Sequence, residues 1–138
     1  MIVADTNVVV QFVVGDDGSA DAALLYAEDP EWAAPTILMS ELRNVLLGFV
    51  RRGVLGPDHV KSMCDDAARA LGDRVEDVPH DRVIDTALEC GLTAYDAEFV
   101  VLARTLGVPL ATLDGAIVEG APDVAVSVPE AIERARRQ

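Results

Sequence analysis

The chain has 138 residues, of which 51% are hydrophobic and 4% aromatic, and its formal net charge at pH 7 is −13. A domain of this length can bury about two thirds of its unfolded surface, so an aliphatic core is available. The acidic balance argues against a broad phosphate-binding surface, which is normally basic, but it is compatible with a cation-binding site. No apolar run approaches the roughly 20 residues of a membrane span, so no membrane association is expected.

Short apolar runs predict strands, and apolar residues at three- to four-residue spacing predict helices between them. The N-terminal half is predicted to contain a strand at Ile2–Ala4, a weakly patterned stretch to Val14, a loop at Gly15-Asp16-Asp17-Gly18, a helix over Ser19–Glu28, a strand at Glu31–Ala34 and a helix from Leu38 to the Gly53 and Gly56 stops. The elements predicted beyond it are a helix from Pro57 to Gly72, a strand at Arg74–Val78, a helix from Pro79 to Gly91, a helix from the Thr93–Asp96 cap to Gly107, strands at Val108–Leu113 and Val124–Val126, and a helix after the Ser127–Glu130 cap.

Alternation of this kind predicts the α/β class. We expect a three-layer α/β/α domain built on a central, mostly parallel sheet of four to five strands, with helices on both faces. The chain contains no internal repeat, low-complexity tract or linker, so residues 1–138 are predicted to form a single domain.

The cellular compartment is also predicted from local features. The N-terminus lacks the basic segment and the small-residue cleavage site of a secretion signal. Cys64 and Cys90, the only cysteines, form no CxxC pair and no zinc-ligand spacing. Because each falls within a helical pattern, we interpret them as buried thiols of a protein in the reducing cytoplasm.

Acidic residues follow two of the predicted strands. Asp5 comes directly after Ile2–Ala4, and Asp114 comes directly after Val108–Leu113. Open parallel sheets bind ligands beyond the carboxyl ends of their strands. If these two strands are neighbours, both carboxylates open onto the same crevice.

Two further acids occupy the apolar sides of predicted helices. Glu41 lies three residues after Leu38 and four before Val45, and Asp96 lies three residues before Phe99. Burying several carboxylates together is unfavourable unless cations neutralise them. An all-oxygen set of ligands suits Mg²⁺ or Mn²⁺ better than Zn²⁺ or Cu²⁺. Such an ion activates water at neutral pH, so hydrolysis of a phosphodiester is the natural reaction.

Each acid also has a purely structural interpretation. The alternatives are helix capping by Asp5 and Asn7, a turn at Asp114-Gly115, a capping box that ends at Asp96, and an ion pair of Glu41 with Arg43 or Arg104. Taken one at a time, the acids are therefore weak indicators. Their order along the chain and their context favour a shared site.

Four segments in this order carry a family resemblance. They are VADTNV at the start, SELRNVL after the second strand, TAYDAEFVVLA in the penultimate long helix and LATLDGAI at the fourth strand. With these segments the chain resembles the PIN-domain proteins over nearly its whole length, and specifically the VapC-type ribonuclease toxins of toxin–antitoxin pairs. After Asp114, where relatives often carry a further charged residue, this chain has Gly115-Ala116-Ile117.

The resemblance implies an endoribonuclease that depends on Mg²⁺ or Mn²⁺, with one or two ions. The residues at catalytic positions are Asp5, Glu41, Asp96 and Asp114, of which Asp5, Asp96 and Asp114 are the expected metal ligands. Thr6, Asn7 and Thr112 match polar residues expected to position the carboxylates or water. The resemblance further implies a homodimer that is silenced by a small antitoxin protein whose tail enters the active groove.

Other functions remain alternatives at this point. RNA contacts in so acidic a chain would have to come from a few arginines, and the candidates are Arg43, Arg104, Arg51 and Arg52. A catalytically inactive PIN-like interaction module is the main competing function. A phosphatase or a phospho-accepting receiver fits poorly, because Asn7 stands where a second Asp would be needed and the only lysine, Lys61, lies within a predicted helix.

Overall fold

Strands and helices alternate along the whole of the described chain, which comprises residues 1–15 and 20–138 of a computed structural model. The elements are β1 (Ile2–Ala4), α1 (Thr6–Val14), α2 (Ala20–Glu28), β2 (Trp32–Pro35), α3 (Ile37–Arg51), α4 (Pro57–Leu71), β3 (Val75–Glu76), α5 (His80–Cys90), α6 (Ala94–Leu106), β4 (Leu110–Thr112), α7 (Gly115–Gly120), β5 (Ala125–Ser127) and α8 (Val128–Arg136). Residues 16–18 of the predicted loop, and Ser19 of the predicted helix after it, lie outside the described residues.

The five strands form one sheet in the order β3-β2-β1-β4-β5, and every neighbouring pair is parallel. Ile2 of β1 lies opposite Trp32 of β2, and Val3 of β1 lies opposite Leu110 of β4. The predicted α/β class is therefore confirmed, and the sheet is parallel throughout the described residues.

Helices cover both faces of the sheet. Helix α6 packs against β1, β2 and β4 and is itself covered by α5, whereas α1, α3 and α4 pack against one another and α8 packs against α2, β4 and β5. Because both faces are covered, β1, β2 and β4 are buried along their full lengths, which explains their continuous apolar sequences.

Two helices differ from the prediction. Helix α1 is a complete helix although its sequence has no clear apolar stripe. Most of its side chains are apolar, but only Val8 and Val9 among them are fully buried, so the buried side of the helix cannot be recognised from the sequence. Helix α7 was not predicted: the pair Asp114-Gly115, for which a turn was the structural alternative, begins this helix, and Asp114 is its N-cap residue. A six-residue helix is too short to show a periodic pattern in the sequence.

Strand ends are less accurately predicted than helix ends. Strand β3 comprises only Val75–Glu76 of the predicted Arg74–Val78, and it lies at the edge of the sheet where one side has no neighbouring strand. By contrast, Gly91 and Gly107 end their helices as predicted, with φ values of 65° and 67°. Left-handed φ values favour glycine because it has no Cβ.

The two cysteines are free thiols, and both are half-buried rather than buried as predicted. In the part of the chain that the structure describes, no helix combines the length and the apolar character needed to cross a membrane.

Candidate functional site

All five strands run in the same direction, so their C-terminal ends meet along one side of the sheet, called here the carboxyl edge, opposite the amino edge. Four acids lie at the carboxyl edge and are called the acidic cluster: Asp5 after β1, Glu41 on α3, Asp96 in the first turn of α6 and Asp114 after β4. Strand β1 lies between β2 and β4, where the strand order changes direction. Open α/β sheets bind ligands at such switch points.

Asp5 is the most buried member of the cluster, with a residue exposure of 5%. Its Oδ1 accepts a hydrogen bond of 2.8 Å from the Thr6 backbone N–H, and its Oδ2 accepts one of 2.7 Å from the Thr112 hydroxyl, 107 positions away in the sequence. Burial, and to a lesser extent the negative charges of Asp96 and Glu41, raise the pKa of Asp5 from 3.8 to about 6 despite these two bonds. The two smaller contributions come from carboxylates near Asp5.

Glu41 is held by a hydroxyl group and not by an arginine. The buried Thr6 hydroxyl donates a hydrogen bond of 2.8 Å to Glu41 Oε1. No salt bridge within residues 1–15 and 20–138 involves Glu41. The alternative interpretation, an ion pair with Arg43 or Arg104, is therefore wrong for the described residues.

Thr112 joins the two acids that follow the central strands. While its hydroxyl donates to Asp5, it accepts a hydrogen bond of 3.0 Å from the Asp114 backbone N–H. Asp114 in turn caps α7, because its Oδ1 accepts a hydrogen bond of 2.9 Å from the Ala116 N–H. The capping interpretation is thus correct for Asp5, whereas Asn7 lies within α1, and Asp114 is a helix cap and not the turn residue of the structural alternative. Both caps coexist with membership of the cluster.

Asp96 takes part in the helix cap through its backbone, and its carboxylate also interacts with the side chain of the N-cap residue Thr93. The Asp96 N–H donates a hydrogen bond of 3.1 Å to the Thr93 hydroxyl, as the capping signature predicts. Burial raises the pKa of the Asp96 carboxyl group, and the charge of Asp114 raises it further. The capping interpretation of Asp96 therefore holds, and it coexists with membership of the acidic cluster.

The donor chemistry of the cluster fits a hard divalent cation, since all its side-chain donors are carboxylate oxygens. None of the four acids takes part in a salt bridge among the described residues. Nor do those residues include three or more His, Cys, Asp or Glu side chains already arranged so that they could hold a metal ion. The predicted ligands share one neighbourhood, but they would have to approach one another to share an ion.

The sequence analysis missed a second group of polar residues at the carboxyl edge. Burial raises the pKa of Glu98 on α6, and the charges of Glu41 and Asp77 raise it further. Asp77 follows β3 and accepts a hydrogen bond of 2.8 Å from the hydroxyl of Thr36, which follows β2. The strand-end rule that identified Asp5 would have found Asp77 if the predicted strand had not extended to residue 78.

The remaining predicted site residues lie at varied distances from the cluster. Asn7 is exposed on the first turn of α1. Arg43 is also exposed, and its positive charge acts on Cys64 of α4. Arg104 lies near the C-terminal end of α6, where its guanidinium donates hydrogen bonds of 2.9 and 3.0 Å to Asp123. This position at the amino edge does not favour the predicted contact of Arg104 with RNA.

Comparisons with known proteins agree with this architecture. The family profile of the PIN domain matches residues 2–121. Ribonuclease VapC3 of Pyrobaculum aerophilum is 27% identical over 129 residues, which cover 88% of this chain and 95% of that protein. The crystal structure of PAE2754 from Pyrobaculum aerophilum has the same fold, with a TM-score of 0.77, 21% identity, and coverage of 99% of this chain and 90% of that one. This chain belongs to the PIN domain family.

Proposed function

We propose that this PIN-domain chain is a metal-dependent endoribonuclease that hydrolyses RNA phosphodiester bonds, and that it is the toxin of a toxin–antitoxin pair. The observation that supports the proposal is the acidic cluster itself, in which acids from four separate elements lie at the carboxyl edge, near the switch point of the sheet. The similarity to a protein named Ribonuclease VapC3 over most of both chains supports RNA as the substrate and the role as a toxin.

The proposed metal ligands are Asp5, Asp96 and Asp114, and the proposed ion is Mg²⁺ or Mn²⁺. When bound, such an ion would supply charge stabilisation at the phosphoryl oxygen and would lower the pKa of a water molecule. The chain itself contributes orientation. The Thr112 hydroxyl holds the buried Asp5 carboxylate, and the same hydroxyl fixes the backbone at Asp114.

Glu41 is the proposed proton acceptor. Its carboxylate is oriented by the Thr6 hydroxyl and lies close enough to Asp5 for its charge to affect that group. In the proposed reaction a water molecule attacks phosphorus, its proton passes to Glu41, and the bond from phosphorus to the leaving oxygen breaks. Solvent protonates the leaving oxygen, so the step needs no further reactant.

The proposed function includes partners. We propose that the chain acts in the cytoplasm as a homodimer, and that a cognate antitoxin protein inhibits it by binding over the acidic cluster. Because the chain is strongly acidic, its contacts with the RNA backbone depend on few cations, and the exposed Arg43 remains a candidate.

The alternative is a catalytically inactive PIN-like interaction module. One observation favours it: within the described residues, three or more ligand side chains are nowhere already arranged so that they could hold an ion. The two functions differ in metal binding. A divalent ion that binds the folded state of an active nuclease raises its stability against unfolding, whereas an inactive module is not expected to gain stability from the ion.

Cleavage of RNA in the presence of Mg²⁺ or Mn²⁺, with and without a chelator, tests the proposal. We expect the chelator, or the substitution Asp96→Asn, to reduce the rate of cleavage at least about 100-fold, because the chelator removes the ion and the substitution removes one of its proposed ligands. A matched control is Asp73→Asn, since the Asp73 side chain is 98% exposed before β3 at the amino edge. Cleavage that resists the chelator, or full activity of Asp96→Asn, would contradict the proposed mechanism.

The toxin role needs a separate test in cells. Induced expression of the wild-type chain in a bacterial host is expected to stop growth, whereas Asp96→Asn is expected to be harmless at the same protein level. Growth arrest by both proteins would show that toxicity does not come from cleavage.

A further inference from the structure

One aromatic side chain stands apart from the other five. All six aromatic residues lie in the described part of the chain, and five of them are buried or half-buried: Phe12, Tyr26, Trp32, Phe49 and Phe99. Tyr95 is 60% exposed. Burying a large aromatic side chain is strongly favourable, so packing does not explain a tyrosine at this position.

The position of Tyr95 suggests a task. Tyr95 directly precedes Asp96 in the first turn of α6, and Leu113, which is 46% exposed, directly precedes Asp114 after β4. The first turn of α6 and the end of β4 both lie at the carboxyl edge. Two exposed apolar residues from different elements are therefore adjacent in sequence to proposed metal ligands at the same edge of the sheet.

The charge of the protein favours a contact that does not depend on phosphate attraction. With a net charge of −13, the surface repels an RNA backbone at long range. Stacking of a nucleobase on an aromatic ring needs no cation and is possible with every base. A base next to a cleaved phosphate must also lie close to the acids that act on that phosphate.

We propose that Tyr95, together with Leu113 at the same edge of the sheet, forms the surface on which an unpaired base next to the cleaved phosphate stacks. This inference rests on the proposed ribonuclease function and adds to it a residue that contacts a base. Bases within a duplex are already stacked on their neighbours, so they cannot reach the tyrosine without being splayed out.

Steady-state kinetics on a single-stranded RNA with Mn²⁺ is the first test. Tyr95→Ala is expected to lower kcat/KM about 5- to 100-fold, mainly through KM, because alanine removes the stacking surface. Tyr95→Phe keeps the ring and is expected to remain within about twofold of wild type. Leu88→Ala, which shortens another exposed apolar side chain, on α5 and 80% exposed, is the control and is expected to cleave like wild type.

Removing bases from the substrate gives the sharper test. Substrates that lack one base, either before or after the cleaved phosphate, are compared for wild type and Tyr95→Ala. At the stacking position we expect the missing base to slow the wild type as much as Tyr95→Ala does, and to slow the variant no further. Losses that multiply at both positions, or wild-type kinetics of Tyr95→Ala, would overturn the assignment.

The outcomes separate the two proposals. If wild type cleaves RNA but Tyr95→Ala behaves like wild type, only the stacking assignment fails. If wild type does not cleave RNA with either ion, the proposed function fails and the assignment of Tyr95 falls with it. Normal cleavage by Tyr95→Ala together with a changed oligomeric state in sedimentation would assign Tyr95 to a protein contact and would also overturn the inference.

Discussion

The two edges of the sheet treat the same type of side chain in opposite ways. At the amino edge, three acids are paired with cations: Asp123 with Arg104, Asp29 with the N-terminal amine at 2.9 Å, and Glu28 with Arg136 at 2.9 Å. At the carboxyl edge, the acidic cluster has no salt bridge in the described residues. The pKa of Asp123 is accordingly lowered, chiefly by its hydrogen bond from Arg104, whereas burial raises the pKa values of Asp5 and Asp96.

The acids of the ion pairs at the amino edge therefore stabilise the folded protein, whereas the acids of the cluster lower its stability. Burying acids without cationic partners is unfavourable, and perturbed pKa values of this kind concentrate at functional sites. The hydroxyl groups of Thr6 and Thr112 orient Glu41 and Asp5 without neutralising them. A divalent cation would supply at the carboxyl edge the positive charge that arginines supply at the amino edge.

Metal binding is the largest expected difference between the edges. At a Mn²⁺ concentration 100-fold above its dissociation constant, the free energy of unfolding of wild type is expected to rise by about 2.7 kcal/mol. Asp96→Asn should gain much less, and the amino-edge control Asp73→Asn should gain as much as wild type. Denaturant unfolding with and without Mn²⁺ measures these changes. Equal gains in all three proteins would place the ion elsewhere, and no gain in wild type would favour the inactive module.

The second largest effect is expected from removing the Thr112 hydroxyl, which links Asp5 to Asp114. Thr112→Val keeps the shape of a buried side chain but leaves Asp5 Oδ2 without its 2.7 Å hydrogen bond. We expect a 10- to 100-fold loss of metal affinity or cleavage, about 1.4–2.7 kcal/mol. Thr105→Val, which removes a hydroxyl bonded to the Val101 carbonyl on α6, is the control and should cleave normally. Similar losses in both variants would point to a general effect on folding.

Asp5→Asn is expected to stabilise the metal-free protein at pH 7 while it abolishes cleavage. The folded-state pKa of Asp5, about 6, exceeds its usual value of 3.8. Ionised Asp5 therefore destabilises the fold: this contribution is absent below pH 3.8, grows as the pH rises to about 6, and is constant above that. The difference corresponds to about 3 kcal/mol, and because asparagine offers one acceptor oxygen where Asp5 accepts with both of its oxygens, the expected gain is about 1–2 kcal/mol.

Denaturant unfolding at pH 4 and pH 7, without metal, measures this effect. The advantage of Asp5→Asn over wild type should be present at pH 7 and much smaller at pH 4, because pH 4 lies only just above the unfolded-state pKa of 3.8 and most of the destabilisation develops between there and about pH 6. A variant that is less stable than wild type at pH 7 would show that the hydrogen bonds of Asp5 outweigh its burial as an ion.

The smallest expected effect is at the amino edge. Arg104→Gln breaks the two hydrogen bonds to the half-exposed Asp123 and should lower the free energy of unfolding by about 0.5–1 kcal/mol. Cleavage by this variant should equal that of wild type, as should cleavage by the control variant Arg82→Gln, made at an exposed position on α5. A rise in KM for Arg104→Gln but not for Arg82→Gln would instead show that Arg104 contacts the RNA.

Features that depend on close neighbours were predicted well. The Thr93 and Ser127 caps, the first-turn proline of α4 and the glycine stops of α5 and α6 all occur where the sequence indicates. Each of these features is decided by contacts within about one helical turn, so the local sequence contains the relevant information.

Features that depend on distant partners were predicted less well. The pKa of Glu98 is raised by burial and by the charges of Glu41 and Asp77, which lie on other parts of the chain. Nothing in the local pattern of α6 distinguishes Glu98 from a solvated acid. Likewise, Arg104 was a candidate for RNA binding because the sequence does not show that Asp123, 19 positions later, lies within hydrogen-bond distance. Strand β3 was predicted too long because an edge strand lacks one of its two neighbours.

The order of apolar and polar residues by itself determined the α/β class, most helix ends and the presence of acids after β1 and β4, because periodicity and capping are local properties. Only the tertiary structure decided which of these acids lie in the same part of the molecule. Strand β4 lies beside β1, more than 100 residues away, and this pairing brings Thr112 to Asp5. The same arrangement assigns cations to the acids of the amino edge and none, within the described residues, to the acidic cluster, because ion pairs depend on distance in space.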